Sequence, residues 1–68
     1  MCKIKVIWKD DSESYVVSPH QYTQFIDQAK DYKSLLIAAR SARRIKEGLF
    51  EFVNDVRLIE NGEEYIMF

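Results

Sequence analysis

The sequence predicts an α+β fold: a small antiparallel sheet of about four strands, in the order ββααββ along the chain, with two helices packed on one face. Three observations predict it. Apolar and polar residues alternate near both ends of the chain, at the two-residue period of a half-buried strand. Between these segments, apolar residues recur at helical spacing. Two turn signatures, Asp10-Asp11-Ser12 and Asn61-Gly62, stand where each pair of strands must reverse.

The first strand is expected over 3–9. Ile4, Val6 and Trp8 fall on one face, and Lys3, Lys5, Ile7 and Lys9 fall on the other. A second strand follows from Glu13 to Ser18, completing a hairpin. Ser18-Pro19-His20-Gln21 has the pattern of a helix start. Serine can cap, proline suits the first helical position, and Gln21 can close a capping box. Tyr22, Phe25, Ile26 and Ala29 then form one apolar stripe, so a first helix is expected to about residue 32. Asp31 or Ser34 can cap a second helix over Leu35–Glu47, ended by Gly48 in a left-handed conformation. A single helix over 19–47 is the alternative, disfavoured by the change of phase near residue 33. Residues 49–53 read either as a short strand or as more helix. Val56 and Leu58 begin the next strand, Asn61-Gly62 turns it, and 64–68 return, with Phe68 in the sheet.

The expected core is Ile4, Val6, Trp8, Tyr22, Phe25, Ile26, Ala29, Leu35, Ala38, Ala39, Ala42, Ile45, Leu49, Phe52, Val56, Leu58, Ile66 and Phe68. All of it belongs to one domain, 1–68. A chain of 68 residues has no room for a second domain. It buries only about 60% of its unfolded surface, so its stability margin is thin.

Composition excludes several function classes. One cysteine forbids an internal disulfide. Cys2 and His20 are the only soft ligands, against four in a structural zinc site, so neither metal nor cofactor is expected. Asp10, Asp11 and Glu13 lack the ligand spacing of calcium loops. Neither glycine belongs to a phosphate-binding loop. His20 is expected in the first turn of a helix, facing solvent, and Cys2 as an exposed or edge-strand thiol. No nucleophile–base arrangement is visible, so no catalytic residue and no enzyme activity are expected. The net charge of −1 argues against an electrostatic coat for nucleic acid. No apolar stretch is long enough to span a bilayer. The N-terminus reads as a strand rather than a signal peptide, so the cytoplasm is expected, of the chain's own cell or of an infected host.

What remains is surface. The outer face of the second helix carries Ile37, Arg40, Arg43 and Arg44, a candidate partner-binding patch. The uncovered sheet face should carry Lys3, Lys5, Lys9, Arg57 and Tyr65, suited to a protein partner or a nucleic acid. Asp10, Asp11, Glu13, Glu60, Glu63 and Glu64 could form one acidic edge if the two hairpins lie side by side. The expectation is a small non-catalytic protein-binding module, a stoichiometric inhibitor or adaptor. By analogy of size and style alone, a phage-encoded anti-defence protein is of this kind. Another protein is thus the expected partner. Nucleic acid bound through a Lys/Arg face is the first alternative, and a homodimer the second.

Overall fold

The computed structural model describes residues 2–18 and 20–66. The expected positions of Pro19, Met67 and Phe68 lie outside them. In chain order the elements are β1 (Cys2–Trp8), β2 (Glu13–Ser18), β3 (Gln21–Thr23), a short 3-10 turn (Ile26–Gln28), α1 (Leu35–Gly48), β4 (Val53–Glu60) and β5 (Glu63–Ile66). The strands form one antiparallel sheet in the order β3-β2-β1-β4-β5. Two expectations are corrected: among the described residues five strands replace four, and a single α-helix lies on the sheet where two were expected.

The missing helix was expected over 19–32. Its first half instead turns back as β3, with Ser18 opposite Gln21 and Val16 opposite Tyr22. The local chemistry explains why the helix loses. Tyr22, Thr23, Phe25 and Ile26 are aromatic or β-branched, with side chains that lose freedom in a helix. Thr23 Oγ1 accepts the Phe25 amide at 3.2 Å and donates to Gln28 at 3.2 Å, which gives the backbone a non-helical partner. As a strand residue, Tyr22 also packs its ring edge-on to Trp8, with centroids 5.1 Å apart. The chain then re-enters the sheet. Lys30 donates its amide to Val16, and Tyr32 and Cys2 exchange both backbone hydrogen bonds at 2.7 and 3.2 Å.

Helix α1 forms where expected and is capped by Ser34, whose hydroxyl accepts the Ile37 amide at 3.2 Å. Gly48 keeps out of the left-handed region, and the last turn closes through the Leu49 amide on Ile45. The helix buries Ala38, Ala42 and Ile45, chiefly against β4 and also against β1. Small alanines bring it close to a floor of Ile4, Val6, Val56 and Leu58. Cys2 is also fully buried, on the central strand, and so is not the exposed or edge thiol that was expected.

Phe25, Ile26, Leu35, Phe52 and Ile66, all expected in the core, are exposed. Phe25 and Ile26 lost their place with the missing helix. Phe52 sits in the turn between α1 and β4. Ile66 follows from the hairpin register: Asn61 and Gly62 both adopt positive φ, so Glu60 faces Glu63 and Leu58 faces Tyr65. That pairing leaves Ile66 opposite Arg57, on the face away from the helix.

Candidate functional site

One helix cannot cover five strands. With strands about 4.8 Å apart, the sheet spans roughly 19 Å between its outer axes. A helix with its side chains is only about 10 Å across. Since α1 packs chiefly on β4 and β1, it covers the same face of β2 and β3 less fully. Two adjoining hollows occupy that space. The larger, about 470 Å³, is lined by His20, Tyr22, Arg44, Ile45, Gly48 and Leu49. The smaller, about 170 Å³, is lined by Val16, Lys30, Tyr32, Ser41, Arg44 and Ile45. Arg44 and Ile45 border both, so the hollows form one groove along the flank of α1.

The groove's chemistry is one-sided. Its base is Val16, Tyr32 and Ile45, all buried, with Tyr22 and Leu49 half-buried beside them. Lys30 and Arg44 line it, and neither has a carboxylate partner among the described residues. No Asp or Glu is among the lining residues. Lys30 Nζ lies 5.0 Å from the Tyr32 ring centroid, which holds the ammonium at the groove without neutralising it. The Tyr22 hydroxyl is buried and has no hydrogen-bond partner among the described residues. Burial first, and Tyr32 second, push its phenol up.

The charged surfaces expected from the sequence are arranged differently. On the helix, Arg43 is tied to Glu47 at 3.0 Å, while Ile37 and Arg40 stay exposed on the outer face. Only Arg44 of that patch lines the groove. On the open sheet face the cations are paired. Lys5 bridges Glu13 at 3.1 Å and Glu64 at 3.0 Å, with its side chain only 12% exposed. Lys3 meets Asp31 at 3.3 Å and donates to the carbonyls of Ile26 and Ala29, drawing the 3-10 turn against it. Arg57 meets Asp55 at 3.4 Å. Lys9 is exposed where β1 ends. Tyr65 pairs with Leu58, on the helix side of the sheet, and donates to Glu63 at 3.0 Å.

The acidic turns lie at opposite ends of the sheet, because β1 and β4 run antiparallel with Cys2 facing Glu60 and Trp8 facing Val53. Asp10 accepts from the Ser12 hydroxyl and amide, which holds its carboxyl below the usual range. Asp11 takes a positive φ of 69° in the same turn. Glu60 faces Cys2, whose thiol is pushed up by burial and then by that carboxylate. Glu13 and Glu64 meet across the sheet only through Lys5.

Among the described residues no cluster of His, Cys, Asp and Glu is arranged to hold a metal, and no helix is long and apolar enough to cross a membrane. No protein-family model matches the sequence, and no curated protein and no solved structure is significantly similar to it. The groove was not foreseen from the sequence, because it exists only where a helix was expected. Its one advance signal was the run Tyr22-Thr23, with its strand propensity.

Proposed function

We propose that this domain is a non-catalytic protein-binding module, an inhibitor or adaptor, that engages its partner through the groove between α1 and strands β2 and β3. The observation that carries this reading is the groove beside α1: half-buried Tyr22 and Leu49 over a buried apolar base, with two cations, Lys30 and Arg44, that have no carboxylate partner among the described residues. Apolar contact supplies affinity, and the cations choose the partner's sign and register. The paired charges elsewhere support the same choice. Lys3, Lys5 and Arg57 already hold carboxylates, so they offer a nucleic-acid backbone little free charge. The buried Cys2 thiol, with its raised pKa, is a poor nucleophile.

Affinity capture from nuclease-treated lysate at physiological salt tests the reading. The wild-type chain is expected to retain a protein partner that the Arg44→Glu chain loses. Arg44 is exposed and makes no ion pair among the described residues, so the substitution should leave the fold intact. Equal capture by both chains, or loss of all bound material on nuclease treatment, defeats the proposal.

A further inference from the structure

We propose that the occupant of the groove is an acidic amphipathic α-helix of the partner, laid beside α1 over β2 and β3; this rests on the function proposed above. Space, charge and edge geometry argue for it together. The strip of sheet beside α1 is about one helix wide, and the groove runs along α1 from Ser41 to Gly48, about two turns. A second helix there would give the five-stranded sheet a two-helix layer, the arrangement that buries a sheet face of this width.

The charge pattern fixes the kind of helix. Arg44 lines both hollows and Lys30 lines the smaller one, so the unpaired cations are spread along the groove. No lining residue is acidic. A helix with leucine-like residues against Tyr22, Ile45 and Leu49, and carboxylates on its flanks, meets both features at once. An extended peptide fits less well. β3 has only three residues, so strand addition along its edge gives few hydrogen bonds. A nucleic acid would need more unpaired cations than this groove presents.

The test uses the full chain and three synthetic peptides of roughly 18 residues, long enough to form a helix on binding. The first carries leucines at i, i+3, i+4 and i+7 with glutamates on the flanks. The second replaces the glutamates with lysines. The third places a proline at the centre of the first. Trp8, the only tryptophan, packs edge-on against the groove residue Tyr22 and so reports occupancy by fluorescence through it. Circular dichroism reports whether the peptide becomes helical.

The glutamate peptide should bind and gain helicity. The lysine and proline peptides should bind on the order of tenfold more weakly or worse. Arg44→Glu should weaken the glutamate peptide by a similar factor. Gly48→Leu should block it, because Gly48 lines the groove and a Cβ built there meets nothing within 4 Å, which leaves room for a larger side chain to take up groove space. Binding of the proline peptide as tightly as its parent overturns the inference, as does a response of Trp8 to an oligonucleotide but to no peptide. Failure of the glutamate peptide also overturns it. If Arg44-dependent capture from lysate survives that failure, the function proposed above stands and only the helical occupant falls. If capture fails as well, both fall.

Discussion

The Tyr22 hydroxyl is the point where the core is least complete. Its ring is well used, edge-on to Trp8 and opposite Val16, while its oxygen is buried without a partner among the described residues. A buried polar group in that state costs the desolvation of its hydroxyl and regains nothing. Tyr22→Phe keeps the ring and removes the cost. It should therefore raise stability by about 1 kcal/mol, read as a higher urea midpoint at unchanged slope. A loss of stability of that size would show that the hydroxyl is satisfied in solution. Lys5 is the opposite case. Its side chain is largely buried and its ammonium is held by two carboxylates from different strands, so β2, β1 and β5 are tied together on the face without a helix. The same lysine that alternation offered as a contact residue is consumed by the fold.

At the scale of elements, α1 carries a residue that works against its own stability. Gly48 occupies the last helical turn without a left-handed φ, and a Cβ there meets nothing within 4 Å. Gly48→Ala should stabilise by about 0.5–1 kcal/mol, since glycine gives up more backbone freedom on folding. That predicts a melting temperature about 2–8 °C higher, measurable by circular dichroism. An unchanged or lower value would mean the end of α1 is not helical in solution. Elements set by local chemistry were legible in the sequence. A cap at Asp31 or Ser34 and the alanine stripe placed α1, with Ser34 taking the cap, and Asn61-Gly62 placed the last hairpin. The register of that hairpin was legible too. A two-residue turn forces Leu58 opposite Tyr65 and Arg57 opposite Ile66, so Leu58 and Ile66 fall on opposite faces. The first helix failed for another reason. The Ser18–Gln21 signature and the stripe at Tyr22, Phe25, Ile26 and Ala29 satisfy helix rules locally. What decides against them is distant: Trp8, Val16 and Cys2, which reward β3 and the Tyr32 bridge. The groove went unseen with it, because a site made by an absent helix has no motif of its own.

Across the whole molecule, the groups with displaced proton affinities act mostly in one direction. Burial, then Glu60, pushes the Cys2 thiol up. Burial, then Tyr32, raises Tyr22. For Lys5, burial opposes the charge, but the bonds to Glu64 and Glu13 overcome it and the ammonium is held more tightly than usual. Each group therefore binds its proton more firmly in the folded chain than in the unfolded one. Such a group stabilises fully below its unfolded pKa, and the contribution is lost as pH rises through the folded value. The unfolded values begin at about 8.5 for the thiol and about 10 for the phenol and the ammonium. These groups should thus leave stability level near neutrality and lower it progressively above about pH 8.5. Asp10 acts on the other side. Its carboxyl is held low by Ser12, so its contribution is present above about pH 4 and fades as the pH falls below that. Thermal unfolding followed from pH 7 to pH 11 measures the alkaline arm. Cys2→Ala should flatten its first portion, near pH 9, whatever it does to stability at pH 7. A profile that keeps its full slope near pH 9 without the thiol would show that Cys2 does not supply the first part of the alkaline arm.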